Sequence, residues 1–525
     1  MPSTLTYPGV YVEEIPSGVR TIAGVATSVA AFAGFATRGP IDRAVTITSW
    51  ADFERIFGGL VYEYPLGYAV RDFFENGGAT AIIIRTYAAP NGGQTATIKK
   101  DDFQVEAASP GTWAKNLRMR VESGATAGIT DQTATDVGVS DKAHLYNLTF
   151  RDTATGETET FNLVTSEDTP RRADRVLAGS RLVKLKSAAD KIPTSHAAIT
   201  DPDKTWTDDT LSSKVDNIAN LKDSDAFWTT GAGSASAPKS GIYLLDRVDL
   251  FNILCLLPEK RGDSVPDARW ADALSYCVKR RAMLLVDPRH DWNAVEDVDL
   301  DALDLTGTAA RNAAIYFPRV LQADRAHGGM IDSFPPCGMV AGVMARTDTQ
   351  RGVWKAPAGV DAALMGAAGL SVPLNDGENG QLNPLGVNCL RTFPIIGNVI
   401  WGARTMRGAN LLADEYKYVP VRRLALFLEE SLFRGLQWVV FEPNDEPLWS
   451  QIRLNAGAFM HSLFIQGAFQ GASPRDAYFV HCDKTTTTQN DINLGVVNII
   501  VGFAPLKPAE FVVLKIQQIA GQIQT

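Results

Sequence analysis

KPAEFVVLKIQQIAGQIQT, residues 507–525, is the stretch on which the fold turns. Phe511, Val512, Val513, Leu514 and Ile516 are strand formers set off by Pro508, and no turn or returning strand follows them. Such a segment either fills a slot in its own sheet or stands unpaired, open to another chain. A similar short segment lies at the other end. There Val10, Tyr11 and Val12 sit between breakers at Pro8-Gly9 and Pro16-Ser17-Gly18.

The body between these ends has ordinary soluble composition. With 525 residues, 45% hydrophobic and 21% charged, roughly two to four domains are expected. A formal net charge of −9 argues against general nucleic-acid binding. The five cysteines are scattered without paired spacing, which fits a reducing compartment and neither a disulfide framework nor a zinc site. The run AGVATSVAAFAGFA (23–36) has no basic flank and carries Thr27 and Ser28, so it reads as a buried strand of small residues. No run approaches the length of a membrane span, and no membrane insertion is expected.

From 21 to 94, strands and helices alternate. Ser49 and Asp52 form a capping-box pattern before Phe53, Ile56 and Phe57, and Gly58-Gly59 stop that helix. Leu66, Ala69, Val70, Phe73 and Phe74 mark a second amphipathic helix, followed by the strand TAIIIRTY (80–87). Residues 95–240 change in composition between two linker-like stretches and contain a hairpin around Gly156, so they read as an inserted, β-rich peripheral domain. Alternation resumes at 241. The later elements include a helix over VPVRRLALFLEESLFRG (419–435), a strand and turn over QWVVFEPND (437–445), and strands in DAYFVHC and LGVVNIIVGFAP.

Chemical motifs are largely missing. There is no Gly-Lys pair of a P-loop, no G-x-G-x-x-G after a strand, and neither H-E-x-x-H nor G-x-S-x-G. His481 and Cys482 are strand neighbours that face opposite sides, which favours a structural role. Asp297, Asp299 and Asp301 resemble a calcium loop but lack its glycine and its closing glutamate. Lys279-Arg280-Arg281 ends a helix, where cations suit the dipole. Arg422, Arg423, Glu429, Glu430 and Arg434 read as the exposed side of the 421–435 helix. They form either a solvated face with a Glu430–Arg434 pair or an inter-subunit ion-pair surface. No catalytic, metal or cofactor site is expected.

Taken in order, several segments resemble the tail sheath proteins of contractile-tailed bacteriophages, tailocins and extracellular contractile injection systems. They are YPGVYVEEI, FATRGP, TSWADFERIFGG, AVRDFFENGGATAIIIRTY, VMARTDTQRGVWKAPAG, LNPLGVNCLRTFP, WGART, VRRLALFLEESL, QWVVFEPNDEPLW, CDKTTTTQNDIN and GFAPLKPAEFVVLKIQQ. The resemblance spans about 1–94 and 241–525. It departs at Ile395-Ile396-Gly397-Asn398, where sheaths often carry a Gly-Arg-Gly turn.

The resemblance implies a multidomain α/β (α+β) chain with a mixed-sheet core completed by strands from neighbouring subunits. Its parts would be an N-terminal arm (1–20), a middle domain (21–94 and 241–345), the insertion (95–240), a C-terminal core (346–508) and a C-terminal linking strand (509–525). The linking strands would be Val10, Tyr11, Val12, Glu13 and Glu14, and Phe511, Val512, Val513, Leu514, Lys515, Ile516 and Gln517. The implied partners are further copies in hexameric rings, an inner tail tube protein, and baseplate and tail terminator proteins, with no nucleic acid. The implied setting is a virion tail or injection particle assembled in the bacterial cytoplasm. An α/β enzyme in the 241–345 stretch and a static capsid-like lattice remain alternatives from other classes.

Overall fold

The computed structural model describes residues 20–87, 95–187, 189–221, 233–236 and 239–515. Val10–Glu14, Ile516 and Gln517 therefore lie outside the described residues.

The strongest apolar runs pair side by side. Ala30–Gly34 lies between Ala81–Arg85 and Ile253–Leu256, and the sheet continues through Met283–Val286, Ala313–Phe317 and Asn388–Phe393, all parallel. Antiparallel strands Val45–Ile47 and Gly397–Ile400 close its two edges, giving eight strands. Central parallel strands are buried on both faces, which is why they are uniformly apolar instead of alternating. Phe32, Ile83, Cys255 and Leu285 point to one core and Ala31, Ile82, Leu254 and Leu284 to the other, as a period of two requires.

One face is covered by helices Pro65–Glu75 and Cys337–Arg351. They approach closely because Gly338 and Gly342 carry no side chain. A Cβ on Gly338 would stand 2.2 Å from the Ala69 carbonyl oxygen, and one on Gly342 would stand 2.6 Å from that of Phe73. The other face is covered by Asp267–Lys279. Trp50–Phe57 forms as its sequence predicts: the Ser49 hydroxyl accepts from the Asp52 amide, and Gly58 ends the helix at a φ of +96°.

The main sheet takes in strands on both sides of residue 345, since NCLRTF (388–393) pairs parallel with Ala313–Phe317 in the same layer. One expectation needs correction. QWVVF is not a strand. Gln437–Val439 is a 3₁₀ turn between two long helices, where the chain has no neighbour to pair with.

The 95–221 region builds its own small sheets. One contains Thr97–Lys100, Phe103–Ala107 and Val183–Ser187, and the other is built on Leu117–Ser123, Leu145–Asp152 and Thr158–Thr165. Its core gathers Phe103, Val105, Met119, Tyr146, Leu148 and Phe150. Arg85, at the end of a central strand, holds the junction. Its guanidinium donates to the carbonyls of Ala36, Thr37 and Gly39 on one side and of Pro110 on the other, at 2.7–3.0 Å. Arg38 adds an ion pair to Glu157 at 2.7 Å.

Candidate assembly site

The C-terminal region is organised by two long antiparallel helices. Val419–Gly435 and Glu446–Ile465 pack through Leu424, Leu428, Ala456, Phe459, Met460 and Leu463. Asp445 caps the second helix by accepting from the Leu448 amide at 3.1 Å. Against this pair lies a two-stranded ribbon, Tyr478–His481 with Ile500–Phe503, in antiparallel register Tyr478↔Phe503 to His481↔Ile500. Tyr478, Val480, Val501 and Phe503 face the helices, while Phe479 and Ile500 are about half exposed. Among the described residues no third strand joins the ribbon, so both of its outer edges keep unpaired main-chain groups.

The chain leaves this ribbon through a fixed route. The Ala504 amide donates to Ala477 and the Gln470 amide to Ala504, at 2.8 and 2.9 Å. Arg404, wholly buried, then receives the Glu510 carboxylate in a two-pronged pair at 2.7 and 2.6 Å, and Tyr418 donates a third bond at 3.1 Å. The Arg404 Nη1 also donates to Asn383 and Asn410 at 2.7 and 3.0 Å. Burial alone would raise the Glu510 carboxyl, but the hydrogen bonds and charge of Arg404 hold it below the usual glutamate range. The residues that follow are largely exposed. Phe511, Val512, Val513 and Leu514 are 75–83% exposed and belong to no sheet, and Lys515 is exposed beside them.

The N-terminal route runs the other way along the helix pair. Thr27 sits at Arg423, the Val25 amide donates to Ser431, Ile22 packs on Gly435, and the Arg20 guanidinium lies 4.6 Å over Trp438. The two ends thus depart from opposite ends of the helix pair.

The charged set on the first helix is not a solvated face. Arg422, Arg423 and Glu430 are at most 9% exposed. Arg423 makes a two-pronged pair with Asp348 at 2.6 and 2.9 Å and donates to the Thr27 carbonyl. Arg422 bonds Asn312 and Glu429, and Glu430 joins Arg281 and Arg434 at 2.9 and 2.7 Å. Arg434 reaches Asp249 as well. These side chains tie the helix to the sheet body because buried charges require partners, and the partners are remote in sequence.

The remaining candidates are structural. Cys482 is buried, and desolvation pushes its thiol up to about 11, while His481 points out to solvent. Asp297 and Asp299 accept backbone amides of their own turns. Arg280 donates to the carbonyls of Leu245 and Val248. The Arg404–Glu510 pair is the feature that sequence reasoning missed. Its only signal was an arginine in WGART and a glutamate just before the terminal strand, 106 residues apart.

A family model described as the phage tail sheath protein central domain matches residues 269–406, and one described as the phage tail sheath C-terminal domain matches 413–519. The chain thus carries regions that match the central and C-terminal domains of phage tail sheath proteins. Solved structures agree with it in fold. The contracted helical sheath of the anti-feeding prophage shares 24% identity at a TM-score of 0.57, over 98% of this chain and 100% of that one. The contracted PVC sheath complex of an extracellular contractile injection system shares 22% at 0.56, over 98% of each chain. A sheath tail protein from Listeria innocua shares 14% at 0.57, over 93% of this chain and 96% of that one. A search of curated proteins finds no match.

Proposed function

We propose that this chain is the structural subunit of a contractile sheath. Copies polymerise as stacked hexameric rings around an inner tail tube and shorten from a metastable extended state, driving the tube through a target envelope. Baseplate and terminator proteins bound the assembly, which belongs to a phage tail or an injection particle built in the bacterial cytoplasm. Shortening draws on new contacts between subunit bodies and asks no chemistry of the chain.

One observation carries this reading. An exposed, unpaired strand former (Phe511–Leu514) is rooted rigidly at Glu510, beside a ribbon with open edges. On another copy the strand adds to such an edge, with main-chain hydrogen bonds giving affinity and alternate side chains giving register. Val10–Glu14 serves as the matching link at the other end. Burying five apolar side chains contributes roughly 8–15 kcal/mol, and ordering seven residues costs about 1–2 kcal/mol each. Each link is therefore modest, and the mesh gains strength by repetition.

The test is electron microscopy of the full chain beside one ending at Glu510, each with and without the inner tube protein. Striated tubes from the full chain alone support the reading. Tubes from both chains would remove the linking strand, and tubes from neither, with tube protein present, would remove the sheath.

A further inference from the structure

Three large hydrophobic side chains, Ile395, Leu411 and Phe441, are essentially fully exposed. Phe441 is the one joined to unpaired charge. It adopts a φ of +71°, a conformation that bulky residues rarely hold. Val440 before it is 64% exposed, and Glu442 after it is exposed and in no ion pair among the described residues. The turn that carries this aromatic tip joins the C-terminus of Val419–Gly435 to the N-terminus of Glu446–Ile465.

At the opposite end of the same helix pair lies a groove of about 1000 Å³. Gln466 and Gly467 line it from the end of the second helix, and Ala403 lines it beside the start of the first. Trp354 and Trp401 supply aromatic walls. Arg351, Lys355 and Lys507 supply positive charge, and none of them meets a carboxylate among the described residues. Lys355 reaches only the Ala356 carbonyl, at 3.1 Å. Arg391, 8% exposed in the groove wall, leaves its Nε without a hydrogen-bond partner while Nη1 holds Asp376 at 2.6 Å.

We propose that Phe441 and Glu442 of one copy dock into this groove on a second copy. The aromatic ring enters between the tryptophans, and the glutamate meets the unpaired cations. The occupant is a second copy because both halves of the match are on this chain and cannot meet within it. Tip and groove are separated by a helix of 20 residues, about 30 Å long. Two different surfaces of one subunit make a head-to-tail contact, which propagates as an open helical array unless its rotation closes a ring. The groove borders the root of the linking strand, since Lys507 and Phe511 line it, yet Phe441 and Glu442 belong to a different part of the chain.

The test mixes full-length F441C with full-length W401C during assembly, under mild oxidation. All five native cysteines are buried. The expected result is an inter-chain disulfide at least tenfold more abundant than between F441C and M330C, a control on an exposed hairpin. F441G is expected to keep or raise Tm, since glycine accepts the positive φ, while assembly falls at least tenfold. K355E/K507E is expected to lose assembly and to regain it with E442K. Equal cross-linking in both pairings, cross-linking of F441C to co-assembled tube protein instead, or normal assembly of F441G would each overturn the proposal. Tubes from F441G but none from the chain ending at Glu510 would overturn it and leave the linking strand standing.

Discussion

Arg404 and Glu510 meet through two parallel hydrogen bonds of 2.7 and 2.6 Å at a site where the guanidinium has no contact with water. The pair fixes the last body-bound residue before the exposed segment begins. Removing one partner of a buried pair typically costs about 3–5 kcal/mol. For E510A about 3 kcal/mol is expected, because Arg404 keeps Asn383 and Asn410 as acceptors. Chemical denaturation measures the loss, and hydrogen exchange should rise over 504–511 while the central sheet stays protected.

The same pair sets an acid response. The folded Glu510 carboxyl titrates below its ordinary value of 4.5. Its contribution is therefore fully present above pH 4.5 and is lost as pH falls through the lower folded value. Exchange over 504–511 should accelerate below pH 4.5 in the parent chain, with no comparable acid step in E510A.

His196 gives the inserted region a second, higher acid threshold. Burial brings its imidazole down to about 4. Its Nδ1 accepts from the Val121 amide at 3.0 Å, and its Nε2 lies 3.0 Å from the Ser213 hydroxyl. A histidine held neutral contributes stability above its unfolded value of 6.5 that is lost as pH falls toward 4, at most about 3 kcal/mol. Thermal scans between pH 7 and pH 4 should show the inserted region destabilised first, and H196Q should flatten that slope.

The seam along the first long helix separates buried charge from exposed charge. R423A takes the counter-charge from buried Asp348, leaving it the Thr27 hydroxyl as donor, and frees the Thr27 carbonyl, and it should cost about 3 kcal/mol. E429A removes a carboxylate whose side chain is 43% exposed and should stay within about 0.5 kcal/mol of the parent. Equal effects in denaturant titrations would contradict the seam.

Two glycines make opposite predictions. G338A drives a methyl into the Ala69 carbonyl across a helix contact, with an expected loss of about 1–3 kcal/mol. G457A lies in a helix with no atom within 4 Å of its Cβ, and it should gain about 0.5–1 kcal/mol. Paired Tm measurements decide both.

Sequence disclosed the elements whose causes are local. Ser49, Asp52 and Gly58 define a helix by capping chemistry within ten residues, and TAIIIRTY is apolar because both its faces are covered. The exposed Phe511–Leu514 segment was legible because a run of strand formers set off by Pro508 stands out in any chain. Failures came where the cause was distant. QWVVF has strand-forming residues but no neighbour to pair with, so it became a turn. Arg422, Arg423 and Glu430 seemed solvent-facing because Asn312, Asp348 and Arg281 lie 75–149 residues away. Glu510 gave no hint that a buried arginine awaited it.

Arg85 fastens the peripheral region mainly through carbonyl oxygens, which every polypeptide possesses whatever its side chains. Such a mount is indifferent to its cargo. Another module grafted between residues 87 and 239 needs to bring one carbonyl to where Pro110 stands, and the Arg38–Glu157 pair and the bond from the Gly39 amide to the Ser109 hydroxyl would have to be rebuilt. The attachment thus makes its demand on where the backbone runs and asks little of the side chains beyond it.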